Sequence, residues 1–115
     1  MQIETQTDAT PFGLFEISDQ GIIRHYQPPA DKHVDGLGAE LVGRNFYNTV
    51  VPGGRANELR ERVLHFKRSR RPTESFDFAI DDGDGDLVVR MRLTTIQERT
   101  TEETTEAVLI HIRPA

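Results

Sequence analysis

The chain has 115 residues, of which 36% are hydrophobic, and this length and composition suit one globular domain with a single core. It contains no cysteine, which excludes disulfides, thiolate catalysis, a thiolate zinc site and any cofactor attached through a thioether or thioester bond. The formal net charge of −5 disfavours nucleic acid or anionic lipid as a partner. No apolar run approaches the roughly 20 residues that cross a bilayer, and no secretory signal opens the chain, so we predict a cytoplasmic protein without a membrane partner.

The first two strands are predicted close to the N-terminus. Residues 1–10 are polar and precede a proline, so we predict a flexible arm there and a single domain over residues 11–115. The β-prone runs FGLFEIS and GIIRHYQ lie on either side of Asp19-Gln20-Gly21, which is typical of a turn, and together they predict a β-hairpin. Pro28-Pro29 ends the second strand, because proline cannot donate a ladder hydrogen bond.

The middle of the chain is predicted to be helical. Between Ala30 and Val51 glycines interrupt the pattern, so we expect short, irregular helices. Residues 55–70 are predicted to form the one long helix, with Glu58 and Arg62 paired on its polar side. The apolar residues that recur at helical intervals are Ala56, Leu59, Val63 and Phe66.

Three further strands are predicted after this helix. The runs TESFDFAI and DLVVRMRLTTIQ place apolar residues at alternate positions on one face. The third run, EAVLIHI, has Val108, Ile110 and Ile112 on one side and Leu109 and His111 on the other. Arg90 and Arg92 lie on the face opposite the apolar residues, which indicates that this sheet face is solvated or meets a partner. The predicted fold class is therefore α+β, a five-stranded antiparallel sheet with short helices and one longer helix on one face.

Charge is unevenly distributed along the chain. Seven of the 14 basic residues lie between positions 55 and 71, whereas ten of the 19 acidic residues follow Pro72. We interpret the basic segment as a solvated helix face whose last turn complements the helix dipole, with protein docking or nucleic-acid contact as the alternatives.

This order of elements resembles the PAS domain, a sensor module in which the strands form a half-open glove over short helices. The most distinctive stretch is Val42-Gly43-Arg44-Asn45-Phe46-Tyr47 followed by Val50-Val51-Pro52, which is similar to a loop of the photoactive yellow protein family within the PAS superfamily. The interval from Tyr26 to Gly43, and the entry Pro11-Phe12-Gly13 into the first strand, also resemble that family. The likeness extends over residues 12–113.

The resemblance implies a light-sensing site whose anchor is missing from this chain. In the family a cysteine after the loop proline holds a hydroxycinnamoyl chromophore as a thioester, and Gly53 stands at that position here. The family's phenolate-binding tyrosine matches Tyr26, whereas its glutamate and a threonine match Ala30 and Val34. Even noncovalent capture of the same chromophore would therefore lose most of its charge stabilisation. In flavin-binding relatives a similar turn ends in a photochemical cysteine, and Phe46 takes that position.

Haem has little support in the sequence. Haem-binding PAS relatives use a histidine near the start of the long helix, and the segment RANELRER contains none. We interpret His65 and His111 as surface or satisfied core residues. His33, which has Asp31 and Asp35 as near neighbours, is the best ligand candidate among the four histidines.

Metal binding and catalysis are not predicted either. The stretch Asp81-Asp82-Gly83-Asp84-Gly85-Asp86 resembles the front of a calcium loop, but Leu93 stands where the bidentate glutamate is expected. We interpret it as an acidic hairpin tip. Tyr26 with Asp31 or His33 forms no recognised catalytic spacing, so we predict that the protein is not an enzyme and has no resident cofactor, while noncovalent haem or flavin stays open.

A pocket is predicted between the inner face of the sheet and the short helices, and it leads to two functional hypotheses. The first is a chromophore-free PAS-like sensory or regulatory module that acts in signal transduction through protein–protein contact, as a homodimer or with a signalling partner. The alternative is a small-molecule sensor that takes an apolar or aromatic ligand, with Tyr26 as the orienting group, or less favourably haem or flavin. The predicted lining residues are Tyr26, Ala30, Val34, Phe46, Val50, Val51, Gly53, Phe78 and Ile80.

Overall fold

A computed structural model describes residues 12–29, 40–51, 55–81, 85–99 and 104–115 of the chain. The elements follow the order expected from the sequence pattern. The predicted N-terminal arm and the first part of the irregular region, residues 30–39, lie outside the described residues. The strands are β1 (Gly13–Ile17), β2 (Ile23–Gln27), β3 (Thr73–Asp81), β4 (Asp86–Arg99) and β5 (Thr104–Pro114), and the helices are α1 (Phe46–Val50) and α2 (Ala56–Ser69).

The strands form one five-stranded sheet in the order β2-β1-β5-β4-β3, and every neighbouring pair is antiparallel. This arrangement confirms the predicted α+β fold class. Because β5 lies in the middle, the last strand of the chain joins the N-terminal hairpin to the β3–β4 hairpin. Within the described ranges, no helix combines the length and the apolar character needed to cross a membrane.

The alternation of side chains determines which sheet face is buried. Register places Phe15 opposite Ile110, and Ile110 opposite Leu93, so these three side chains point to the same face. All three are almost fully buried, and burying a side chain of this size contributes roughly 1.5–3 kcal/mol. The predicted strand faces are thereby confirmed, since Phe78, Ile80, Val89, Met91, Val108 and Ile112 are buried on the same side.

The β4–β5 hairpin is longer than the sequence pattern predicts. The prediction ends β4 at Gln97 and begins β5 at Glu106, but the ladder continues to the pair Arg99–Thr104. The Gln97 amide nitrogen lies 3.3 Å from a carboxylate oxygen of Glu106. These positions are polar on both faces, so apolar alternation could not reveal them.

The β1–β2 hairpin turns through Ser18, Asp19, Gln20 and Gly21. The hydroxyl oxygen of Ser18 accepts hydrogen bonds from the backbone amides of Gln20 and Ile22, each at 3.2 Å, so the serine side chain stabilises the turn. Gly21 has a φ of 82°, and a Cβ at this position would lie 2.8 Å from Cε2 of Tyr47. Glycine is therefore required here both by the backbone and by the ring packed against it.

Helix α2 packs on the inner face of the sheet through its apolar side. Leu59, Val63 and Phe66 are buried, as their helical spacing predicts. The predicted pair of Glu58 and Arg62 is wrong. Glu58 instead lies 4.0 Å from Arg55, and the Arg62 guanidinium lies over the Phe76 ring at 4.0 Å from its centroid, because the strand beneath the helix offers an aromatic face.

Candidate functional site

Tyr26 is the polar residue that the sequence placed in the predicted pocket, and it lies on β2 facing the core. Its hydroxyl donates a hydrogen bond to the main-chain carbonyl oxygen of Phe12 at 2.8 Å. Burial raises the pKa of this phenol above its usual value. The side chain is 9% exposed, so the hydroxyl bonds to the Phe12 carbonyl and little of it is accessible to solvent.

Aromatic rings fill the space beside Tyr26. Phe15 lies 4.7 Å from Tyr26 and 5.2 Å from Phe46, centroid to centroid, and Phe46 lies 5.4 Å from Tyr47. These separations are those of rings in direct, tilted or edge-to-face contact. The four rings form a continuous row from β2 through β1 to α1, which we call the aromatic row.

The predicted lining residues that the structure describes come from strands at both edges of the sheet and from the segment around α1. Tyr26 lies on one edge strand of the sheet, whereas Phe78 and Ile80 lie on the strand at the opposite edge. Among the other predicted residues, Phe46 and Val51 are buried and Val50 is partly buried, while Ala30, Val34 and Gly53 lie outside the described residues.

Two core residues next to this region were missing from the predicted lining. Phe15 contacts both Tyr26 and Phe46, and Tyr47 lies beside Phe46. The alternation of β1 already indicated that Phe15 faces the core. The position of Tyr47 could not be obtained in this way, because it depends on how the loop before α1 docks on the β1–β2 turn.

The Gly43-Arg44-Asn45 turn of the distinctive stretch fastens this loop to β2. The Ile23 amide donates to the Arg44 carbonyl at 2.8 Å, and the Gly43 amide donates to the Ile23 carbonyl at 2.7 Å. The Asn45 side chain caps α1 by accepting a hydrogen bond from the Asn48 amide at 3.1 Å. The turn therefore has a structural role in this chain. The Pro52-Gly53-Gly54 segment that follows α1 lies outside the described residues.

The outer face of the sheet carries a shallow concavity of about 370 Å³. It crosses β2, β1, β5 and β4, and its wall combines apolar, polar and cationic side chains. Nearby on the same face, Arg90 and Asp77 form a cross-strand ion pair at 2.9 Å, and this contact lowers the pKa of the Asp77 carboxyl. The concavity is lined by Gly13, Leu14, Gln27, Pro28, Pro29, Arg92, Thr94, Leu109 and His111.

The basic end of α2 borders a wider groove of about 910 Å³ along the extended β4–β5 hairpin. Arg68, Arg70 and Arg71 are exposed, which agrees with the interpretation of this segment as a solvated helix face. Lys67 and Arg68 lie in the last turn of the helix, where positive charge is favourable. Glu106 lies on the other side of the groove, so the groove carries both signs of charge.

The histidines and the acidic stretch at residues 81–86 were the candidate metal ligands in the sequence. His65 and His111 are exposed, in line with the interpretation of them as surface residues, and His33 lies outside the described residues. In the acidic stretch, Asp86 lies 3.5 Å from Arg55, and residues 82–84 are outside the described ranges. Among the described residues, no three histidine or carboxylate side chains are grouped closely enough to hold a metal ion.

Comparison with solved structures identifies the fold. A domain of an HTR-like protein from Haloarcula marismortui matches over 90% of this chain and 97% of its own length, with a TM-score of 0.59 and 15% identity. The photoactive yellow protein domain of the sensor histidine kinase Ppr from Rhodospirillum centenum matches over 93% of this chain and 96% of its own length, with a TM-score of 0.56 and 20% identity. No family model matches the sequence, and no curated protein does.

These matches confirm that the chain has a PAS-like fold of the kind seen in photoactive yellow protein domains. At 15% and 20% identity, the similarity shows the fold and nothing further. The function therefore has to be argued from this chain's own residues.

Proposed function

We propose that the protein is a chromophore-free sensory or regulatory module that acts in signal transduction through protein–protein contact at the outer face of its sheet. The matched domain from a sensor histidine kinase supports a signalling role by analogy of fold. The observation that carries the proposal is that the Tyr26 side chain makes its contacts within the protein. Its hydroxyl is bonded to Phe12, and its ring packs in the aromatic row, so the polar group expected to orient a pocket ligand already has a partner.

The outer face has the mixed character of a contact surface. Leu14 and Leu109 are partly buried there, beside exposed Arg92 and His111. Nearby carboxylates already have basic partners on the sheet, such as Asp77 with Arg90. The Asp77–Arg90 pair is satisfied within the subunit, so it adds no like-charge penalty when two identical surfaces meet.

A second copy of this chain is the partner that this face fits best. Leu109 lies on β5, the middle strand of the five, so a two-fold axis near this residue would bring the two concavities together. The homodimer would bury the leucine side chains and leave the polar rim hydrated.

Light scattering coupled to size exclusion tests this proposal. We expect the full chain to dimerise with increasing concentration, and Leu109→Glu to weaken dimerisation at least about tenfold, because a carboxylate would lie in the apolar centre of the contact. Val42→Glu is the matched control, since Val42 is 46% exposed and lies in the loop before α1. A chain that stays monomeric, or equal effects of the two substitutions, would contradict the homodimer.

An absorption spectrum and a native mass of freshly purified protein test the chromophore-free state. We expect the mass of the polypeptide alone and no visible absorption band. A stoichiometric pigment, whether haem, flavin or another aromatic group, would overturn the proposal in favour of a cofactor-binding sensor.

A further inference from the structure

A small cavity lies at the Tyr47 end of the aromatic row, between the β1–β2 turn and the side of α2. Its volume is about 120 Å³, the space of about four water molecules. The residues that line it are Ile17, Ser18, Asp19, Gln20, Gly21, Tyr47, Arg60, Val63, Leu64, Lys67 and Val108.

Tyr47 is a buried residue that lines this cavity. The residue is 5% exposed, and its hydroxyl makes no hydrogen bond within the described part of the chain, unlike that of Tyr26. Burial raises the pKa of Tyr47 to about 12, while the positive charge of Arg60 acts in the opposite direction. The Arg60 guanidinium lies 4.8 Å from the centroid of the Tyr47 ring, and both residues line the cavity. A buried donor without a partner is costly, and an entering acceptor would remove that cost.

The cavity has an apolar wall and a cationic rim. Ile17, Val63 and Val108 are almost fully buried and form the apolar wall. Arg60 and Lys67 supply the positive charge. This combination suits a ligand with one anionic end and a short hydrocarbon part, because a purely polar anion would leave the apolar wall unused.

Lys67 already has an acidic neighbour in Asp19. The Asp19 side chain is 71% exposed, whereas that of Lys67 is 20% exposed. Ion pairs of such exposure contribute little to stability, so an entering anion can replace Asp19 while its carboxylate returns to water. Asp19 would then act as a competitor for the ligand.

We propose that this cavity is a binding site for a small aliphatic monocarboxylate. One carboxylate oxygen accepts a hydrogen bond from the Tyr47 hydroxyl, and the carboxylate is paired with Arg60 and Lys67 at the rim. The hydrocarbon part lies against Val63 and its apolar neighbours. The site is on the helical side of the sheet, so it is independent of the proposed contact on the outer face, and either proposal can fail without the other.

Titration of the full chain with propionate, followed by amide chemical shifts, tests this site. We expect saturable shifts at the β1–β2 turn and at α2. Propionamide has nearly the same shape without the charge, and inorganic phosphate has charge without the hydrocarbon part. Both should bind at least about tenfold more weakly than propionate. Equal binding of propionamide or phosphate, or no saturable shift with propionate, would overturn the assignment.

Paired substitutions identify the residues involved. Tyr47→Phe and Arg60→Gln should each weaken propionate binding about tenfold, because each removes a charge-assisted contact. Tyr26→Phe and Arg62→Gln are the matched controls, since the Tyr26 hydroxyl and the Arg62 guanidinium contact Phe12 and Phe76 instead. Asp19→Asn should tighten binding by removing the competitor.

Comparison of each variant with its control separates an effect on propionate binding from an effect on folding. Arg60 is only partly buried, so Arg60→Gln should leave the amide spectrum of the unliganded chain otherwise unchanged. If Arg60→Gln and Arg62→Gln weaken propionate binding equally, the effect is general electrostatics of the helix and the proposed site is wrong. Weaker binding by Asp19→Asn would likewise contradict the proposed role of that carboxylate.

Discussion

The Tyr26 hydroxyl donates to the carbonyl oxygen of Phe12 at 2.8 Å, and this hydrogen bond ties the edge strand β2 to the start of β1. The Tyr47 hydroxyl has no such partner within the described residues, although Tyr47 is buried to a similar extent. The two tyrosines of the chain therefore differ: the Tyr26 hydroxyl is hydrogen-bonded within the core, and Tyr47 lines a small cavity.

This difference predicts unequal effects of removing each hydroxyl on stability. Tyr26→Phe should lower the free energy of unfolding by about 1 kcal/mol, because it removes one hydrogen bond and leaves the Phe12 carbonyl without that donor. Tyr47→Phe should be neutral or slightly stabilising, since it removes a buried hydroxyl that has no hydrogen-bond partner among the described residues. Urea unfolding of both variants checks this expectation, and a larger loss in Tyr47→Phe would contradict it.

Alkaline pH should destabilise the fold through Tyr47. Burial raises its pKa from 10.0 to about 12, which means that the neutral phenol is favoured in the folded state. The resulting stabilisation is fully present below about pH 10 and is lost as the pH rises through about 12. Two pKa units correspond to about 2–3 kcal/mol.

The absorbance of the phenolate measures this titration directly, because the chain has two tyrosines and no tryptophan. In Tyr26→Phe the signal belongs to Tyr47 alone and should titrate well above pH 10. Loss of stability in alkali should be smaller in Tyr47→Phe than in the unaltered chain. A Tyr47 that titrates at its ordinary pKa would refute the buried environment described for it.

Gly13, at the start of β1, should not tolerate a side chain. It has a φ of 135°, and a Cβ there would lie 2.7 Å from both the Gln27 carbonyl oxygen and Cε1 of Tyr26. Gly13→Ala should destabilise the protein by about 3 kcal/mol or more, since backbone strain and a collision with β2 act together.

Gly85 provides the matched control for this substitution. Its φ is 136°, but a Cβ there would have no atom of the described residues within 4 Å. Gly85→Ala should therefore cost only the backbone term, about 1–3 kcal/mol. Thermal or urea unfolding of the two variants compares these costs, and equal values would show that the contact of Gly13 with β2 adds nothing.

The sheet and the long helix could be predicted from sequence because their signals are periodic. Phe78 and Ile80 on β3 and Leu59, Val63 and Phe66 on α2 are buried, and Phe76 is partly buried, as the spacing of these residues predicts. The similarity of the fold to solved PAS-like domains agrees with that prediction.

The details of the candidate sites could not be predicted in the same way. The partner of Tyr26 is a main-chain carbonyl at Phe12, and every residue carries such a carbonyl, so no sequence pattern marks it. The neighbours of Tyr47 come from the β1–β2 turn and from α2, which meet only in the folded chain. The predicted pair of Glu58 and Arg62 failed for a related reason, because the competing partner Phe76 belongs to a strand beneath the helix.

Arg70 ends α2 in a conformation that suits glycine better than arginine. Its φ is 62° and its ψ is 19°, in the left-handed region where a Cβ is unfavourable. Arg70→Gly should raise the free energy of unfolding by about 0.5–1 kcal/mol, because the relief of backbone strain outweighs the greater freedom of glycine in the unfolded chain. Arg71→Gly is the control, since it removes the same charge one residue later without a positive φ, and it should be neutral or destabilising. Urea unfolding distinguishes the two, and an Arg70→Gly variant no more stable than Arg71→Gly would mean that the helix end carries no such strain.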